Sequence, residues 1–242
     1  MNPRLSIVLP CYNEAGNLPL IIARLRELLC GRNDVEAIIV NNGSKDNSAE
    51  VLAREVAVPG LEFIRVAQVS VNQGYGFGVM VGLRAARGEF LAWTHADMQT
   101  DPADVLKGFD KILGSRDPHQ AFLKGRRIAR NPLDAFFTLG MSIVSSACLG
   151  LWLHDINAQP KMFSRRFYEA LKSPPDDFSL DLYVYYLARK SGMELLIQPV
   201  DFARRRHGEA KGGGTLAGKW RLIKRTWVYI IKLRREIADG LR

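Results

Sequence analysis

Cysteine is scarce in this chain. Its three residues, Cys11, Cys30 and Cys148, are an odd number with no paired spacing. That argues against a disulfide framework and a zinc cluster, and points to a reducing compartment. Internal repeats and low-complexity tracts are lacking. The N-terminus has one arginine and then the short run Leu5-Ser6-Ile7-Val8-Leu9-Pro10, too brief for a signal peptide. One uncharged stretch, Ala135 to Leu153, raises the question of a membrane span. Thr138, Ser142, Ser145 and Ser146 inside it, and His154-Asp155 directly after it, fit a groove-lining or membrane-surface helix better. The chain does have bulk: 242 residues at 47% hydrophobic content are enough to bury one full core.

Charge is unbalanced. The formal net charge is +9 and the isoelectric point about 9.6. The excess gathers late, in one group from Arg126, Arg127 and Arg130 through Arg165, Arg166, Arg204, Arg205, Arg206 and Lys211, and in another from Lys219 to Arg235. Such a charge suits a nucleoside diphosphate, a lipid phosphate or an anionic membrane surface. No nucleic-acid module accompanies it, so nucleic acid is not expected as a partner. In the terminal segment, residues 216–242, helical spacing puts Trp220, Ile223, Trp227, Ile230 and Ile231 on one stripe between basic residues. A basic amphipathic helix at a membrane interface and a helix packed on the core both fit that pattern.

The first hundred residues alternate strands and helices. Leu5 to Pro10 reads as a strand running into the polar elbow Cys11-Tyr12-Asn13-Glu14. Asn17 then caps a helix with apolar face Leu18, Ile21, Ile22, Leu25, Leu28 and Leu29. Ala37 to Val40 is a strand ending in Asn41-Asn42-Gly43-Ser44-Lys45-Asp46, and a helix through Val51 and Leu52 follows. Leu61 to Val66 is a strand, Asn72-Gln73-Gly74-Tyr75-Gly76 a glycine-rich turn, and Val79 to Ala86 a helix. This alternation predicts an α/β fold, a mostly parallel Rossmann-like sheet with helices on both faces. Ligands of such sheets collect at the carboxyl ends of the strands.

At one such end the apolar run Phe90-Leu91-Ala92-Trp93-Thr94 leads into His95-Ala96-Asp97-Met98-Gln99. On an extended segment Asp97 and Gln99 face one way and reach one hard cation, magnesium or manganese. The competing reading makes Asp97 part of a helix cap with Thr100-Asp101-Pro102.

Taken in order, Pro10-Cys11-Tyr12-Asn13-Glu14, Val40 to Asp46, Asn72 to Gly76 and Ala96-Asp97-Met98-Gln99 resemble the motifs of a family 2 glycosyltransferase. Arg205 with Gly208-Glu209-Ala210-Lys211 is similar to the arginine and Gly-Glu-Ser-Lys loop of dolichyl- and polyprenyl-phosphate sugar transferases. The resemblance covers everything but the final basic helix. It implies a GT-A domain over residues 1–215, a nucleoside-diphosphate sugar donor, a Mg2+ or Mn2+ ion on Asp97 and Gln99, and inverting transfer to a polyprenyl phosphate. The enzyme is then expected in the cytoplasm, peripheral on the cytoplasmic membrane face. Addition of a sugar to a growing saccharide and non-catalytic binding of a nucleotide sugar are the alternatives.

By the same resemblance Pro10, Tyr12, Glu14, Asn41, Asp46, Gly74, His95 and Ala96 hold the nucleotide sugar. Asp155, Gln159 and Lys161 border the acceptor, Asp181 lies near the reacting sugar, and Arg205 and Lys211 clamp phosphates. Asp97, Asp181, Arg205 and Lys211 are the catalytic candidates. Asp181 has a second reading, as a carboxylate that meets a helix dipole. Two positions depart from the family pattern: Asn41-Asn42-Gly43-Ser44 stands where Asp-Asp-Gly-Ser is usual, and His95-Ala96-Asp97 where Asp-Ala-Asp is usual. Asparagine keeps an acceptor oxygen and adds a donor, whereas a neutral imidazole adds no negative charge for a cation.

Overall fold

The computed structural model describes residues 3–128, 132–202 and 216–238. The chain opens with three strand and helix pairs: β1 (Leu5–Cys11) and α1 (Leu18–Leu29), β2 (Val35–Asn42) and α2 (Ser48–Val56), β3 (Ile64–Val69) and α3 (Tyr75–Ala85). There follow β4 (Phe90–Trp93), α4 (Ala103–Leu113), β5 (Ala121–Ile128), α5 (Pro132–Leu149) and β6 (Lys161–Ser164). The last elements are α6 (Arg165–Glu169), α7 (Leu180–Lys190), β7 (Glu194–Asp201) and α8 (Leu216–Ala238).

One sheet of seven strands organises the molecule, in the order β3-β2-β1-β4-β6-β5-β7. Only β6 runs against its neighbours β4 and β5; every other pair is parallel. The central strands are apolar on both sides because both sides are covered. Leu5, Ile7 and Leu9 of β1 and Ala37 and Ile39 of β2 pack under α1, α2 and α4. Val8, Ile38 and Val40 face the opposite layer, built from α3, α7 and buried residues of α8. The α/β architecture and the helices on both faces are as the alternation predicts.

Several local expectations change. Asn17 stands at the start of α1 but makes no side-chain cap; its amide donates to Glu14 instead, at 2.5 Å. β3 lies three residues later than its apolar run implies, because it is an edge strand where only Ile64 is fully buried and the apolar signal fades. Among the described side chains of α8, Tyr229, Ile230 and Leu233 are buried, while Trp227, Val228 and Ile231 are exposed. The expected stripe therefore splits between two faces. Trp220 and Ile223 fall among side chains outside the described ones. No described helix is long and apolar enough to cross a membrane. The serines of α5 have a use in the fold: Ser142 Oγ accepts the Asp155 N–H and Ser146 Oγ the Leu153 N–H, tying the returning chain to the helix.

Candidate active site

β1 and β2 end side by side, with Cys11 opposite Asn41, and their loops are sewn together. The Asn13 N–H donates to Ser44 Oγ at 3.0 Å and the Lys45 N–H to Asn13 Oδ1 at 2.8 Å. The Glu14 N–H reaches Ser48 Oγ, and the Ala15 N–H reaches Asp46. Asn13 adopts φ 55, a left-handed conformation that asparagine tolerates better than most residues. Burial alone raises the Asp46 carboxyl, but bonds from Ser48 and Ala15 outweigh it and hold it below its ordinary value. Asn41 Oδ1 accepts the Ser44 N–H, closing its own turn. Pro10 and Tyr12 are half-buried at the rim, and Glu14 is buried. Burial, then the charges of Glu14 and Asp46, push the Cys11 thiol up to about 12, so this cysteine is no nucleophile at neutral pH.

The segment after β4 is not extended. The Thr94 N–H still donates to the Val8 carbonyl of β1, but beyond it Met98 takes φ 60, and the Gln99 N–H bends back to donate to Asp97 Oδ1 at 3.0 Å. The alternation that put Asp97 and Gln99 on one side therefore does not apply; a tight turn ties the Gln99 backbone to the Asp97 carboxylate instead. Asp97 and Ala96 are buried, and His95 and Gln99 half-buried. Asp97 is not the cap of α4, since Asp101 Oδ1 takes the Ala103 N–H at its start. His95 meets the edge of Phe202, the residue that follows β7. Among the described residues no group of three or more His, Cys, Asp or Glu side chains could hold a metal. One buried carboxylate and a neighbouring amide fit an ion whose remaining ligands are phosphate oxygens and water, the usual arrangement for magnesium and manganese at nucleotides.

The third part of the site comes from β5, β6 and α7. Lys124 and Lys161 are direct neighbours across β5 and β6, and both are buried. Lys161 Nζ donates to the Ile156 and Ala158 carbonyls and to Asp181 Oδ1, at 2.7 Å, which uses all three of its hydrogens. Gln159 Nε2 donates to the same Asp181 oxygen at 2.8 Å and to the Tyr75 hydroxyl at 3.0 Å. Asp155 is paired with the Arg127 side chain and accepts the Arg127 N–H. Burial raises that carboxyl, yet the Arg127 charge and hydrogen bonds hold it down at about 2. Gly125 is required by packing, because a Cβ there would stand 2.0 Å from the Gln159 carbonyl oxygen.

Gln159, Lys161 and Asp181 thus come together bonded to one another, and Asp155 is held beside them by Arg127. Gly74 packs rather than opens: its φ is 121, and a Cβ would meet the Asp176 carbonyl at 2.3 Å. Part of the basic excess is internal too, since Arg165 caps the Ala86 and Gly88 carbonyls and Arg127 holds Asp155. Arg205 and Lys211 lie outside the described residues. Sequence reasoning missed Lys124, counted Arg127 only within the basic excess, and took Phe178 only as the start of the segment that leads to Asp181. It treated Tyr75 only as part of a turn, although an aromatic residue between two glycines was the available signal.

A family model, Glycosyl transferase family 2, matches residues 6–171. The chain belongs to this family. Among similar proteins is an undecaprenyl-phosphate 4-deoxy-4-formamido-L-arabinose transferase of Pseudomonas fluorescens, 26% identical over 215 residues, which covers 85% of this chain and 59% of the relative. The chain therefore spans less than two thirds of that relative's length. A dolichyl-phosphate beta-glucosyltransferase of Trichomonas vaginalis is 29% identical over 240 residues, covering 91% of this chain and 72% of the relative. Among solved structures, glucosyl-3-phosphoglycerate synthase from Mycobacterium tuberculosis, in complex with Mn2+, UDP and glucosyl-3-phosphoglycerate, superposes with a TM-score of 0.70 at 17% identity. That match covers 96% of this chain and 80% of the synthase, and shows that this member of family 2 has a GT-A-like fold.

Proposed function

We propose that this family 2 protein moves a sugar from a nucleoside diphosphate to a polyprenyl phosphate, with inversion, at the cytoplasmic face of a membrane. The observation that carries the choice of acceptor is the buried Lys161–Asp181 pair. A sugar hydroxyl hardly ionises at neutral pH and needs a general base. Asp181 is poorly suited to that task, with its charge matched by Lys161 and its Oδ1 also bonded by Gln159. A lipid phosphate is already anionic, needs no base, and asks for cations instead. The two relatives named above, one undecaprenyl-phosphate and one dolichyl-phosphate transferase, support the same choice.

In this reading the joined loops of β1 and β2 hold the nucleoside through Pro10, Tyr12, Glu14, Asn41 and Asp46, and the turn at His95 to Gln99 faces the diphosphate. A divalent ion on Asp97 and Gln99 supplies positive charge that offsets the charge of the departing diphosphate. Asp155, Gln159 and Lys161 act by shaping the acceptor side through their internal bonds, and Arg205 and Lys211 bring cations to it.

The membrane part of the reading rests on α5 and α8, which pack against each other. Leu139 and Ile143 of α5, and Trp152 just beyond it, are exposed, as are Trp227, Val228 and Ile231 of α8. Lys224, Lys232, Arg234 and Arg235 are exposed beside the latter group. Apolar residues among cations fit an anionic lipid surface. Product analysis tests the whole proposal: incubation with a nucleotide sugar, Mn2+ and undecaprenyl phosphate is expected to give an acid-labile lipid-linked sugar. An alkali-stable glycoside would show a saccharide acceptor, and no transfer to any acceptor would leave only binding.

A further inference from the structure

Tyr75 is held from four sides. The carbonyl of Gly74, just before it, accepts a hydrogen bond from Asn42 Nδ2 at 2.8 Å. Two residues after it, the Phe77 N–H donates to the Asp176 carbonyl at 2.9 Å. The ring stacks on Phe178, with centroids 4.8 Å apart and planes within 8°. The hydroxyl oxygen accepts from Gln159 Nε2 at 3.0 Å. These contacts come from β2, from the 173–178 loop and from the chain entering β6, so the backbone around Tyr75 and its side chain are fixed by three separate parts of the fold. A surface tyrosine has no need of such fixing; a ligand contact does, because a preorganised group loses little freedom on binding.

The position of the hydroxyl gives the fixing a purpose. Gln159 is a donor here, so the Tyr75 oxygen acts as acceptor in that bond and its own proton is directed elsewhere. The Trp93 indole N–H, a second donor, also faces the oxygen, outside ordinary hydrogen-bond geometry. No described residue takes the Tyr75 proton. The charges that act on the hydroxyl are Asp181, on the acceptor side, and Asp97, in the turn proposed to meet the diphosphate. Burial first, and these two carboxylates after it, hold the phenol far above its ordinary value, so it remains a donor. With Asp181 matched by Lys161 and Asp97 proposed to hold the ion that meets the diphosphate, the hydroxyl lies between the acceptor side and the diphosphate turn as a neutral donor, suited to a neutral acceptor oxygen.

Resting on the glycosyltransferase reading, we infer that Tyr75 donates a hydrogen bond to a hydroxyl of the sugar being transferred, and so helps to select that sugar. It is a binding residue for the donor's sugar and makes no contact with the nucleoside. Gln159 positions it and links it to Asp181.

Tyr75→Phe is the matched test, since it keeps the ring stack and removes only the hydroxyl. Affinities of wild type and Y75F are measured calorimetrically with Mn2+ for UDP-glucose, GDP-mannose and dTDP-glucose, and for the sugarless UDP, GDP and dTDP. Y75F is expected to bind the preferred nucleotide sugar about fivefold to tenfold more weakly, the loss of one hydrogen bond. The matching sugarless nucleotide should bind both proteins equally, and the thermal midpoint should fall only by the small cost of the lost bond from Gln159. Equal weakening of both ligands, unchanged affinity for both, or a wild type that gains nothing from the sugar overturns the inference. A wild type that binds no nucleotide at all removes the glycosyltransferase reading, and the inference with it. A wild type that makes lipid-linked sugar while Y75F binds the same donor unchanged removes only the role of Tyr75.

Discussion

Lys161 and Asp181 meet at 2.7 Å with both side chains almost wholly out of water. Each is a charge whose burial is tolerable only beside the other. Removing one partner leaves the second unpaired, which costs about 3 to 5 kcal/mol, whereas replacing both by apolar groups costs far less. Lys161→Met and Asp181→Leu are each expected to lower stability to urea by about that amount, and the double variant to recover most of the loss. A double variant as unstable as the two single losses added together would show that the pair is not a unit.

Two nearby groups give stability opposite dependences on pH. The Asp155 carboxyl sits at about 2 against an ordinary 3.8, so its contribution is complete above about pH 4 and disappears as pH falls towards 2. Asp155→Asn should cost about 2 kcal/mol at pH 7 and almost nothing at pH 2. Lys124 is lowered from 10.5 to about 7 by burial and then by the charge of Lys161. Between those values the unfolded chain holds a proton that the folded one has lost, so stability rises with pH. Lys124→Met should therefore stabilise most below pH 7, by at most about 5 kcal/mol, and bring no gain above pH 10.5. Denaturation curves from pH 5 to 11 that run parallel for wild type and variant would contradict this.

The metal proposal is tested at Asp97. Asp97→Asn should abolish Mn2+-dependent binding of nucleotide sugar, because the turn then offers no carboxylate. His95→Ala should weaken binding modestly and leave the metal dependence intact, and His95→Asp should tighten the ion. Manganese titrations in the presence of donor check all three, and an Asp97→Asn protein that behaves as wild type would refute the assignment.

Asn42 stands where the family usually has aspartate, and the structure supplies a reason. Its Nδ2 donates to the Gly74 carbonyl, a bond that a carboxylate cannot make. Asn42→Asp is expected to cost about 1 to 3 kcal/mol at pH 7. The loss should shrink in acid, where the protonated carboxyl becomes a donor. Thermal midpoints measured between pH 4 and 8 decide it.

Membrane association should be electrostatic. The protein is expected to sediment with anionic vesicles and to be released when Lys224, Lys232, Arg234 and Arg235 are neutralised together, since each contributes about 1 kcal/mol near such a surface. Binding that persists in high salt, or that is absent from anionic vesicles, counts against the exposed face of α8 as the docking surface.

Much of this was legible in the sequence where one segment suffices to reveal a feature. The runs Leu5 to Leu9 and Ala37 to Val40 announce buried parallel strands, and the polar elbows after them announce the ligand edge. What escaped depends on partners distant in sequence. The Lys124–Lys161 adjacency is created by antiparallel registration across a 37-residue separation, which no local pattern encodes. Asp181 reads as a helix-start carboxylate until Lys161 and Gln159 are seen against it. The turn at Met98 defeated the alternation argument because one residue at positive φ redirects every side chain after it.

The reversed direction of β6 has one more consequence. Lys161 begins β6 beside Trp93 and Lys124, towards the carboxyl ends of β4 and β5. Chain leaving β5 and chain returning into β6 are therefore both at the ligand edge, and the whole excursion between them, with α5 inside it, departs from and comes back to one place. The side chains proposed to border the acceptor therefore reach the sheet at the same edge as the joined loops of β1 and β2.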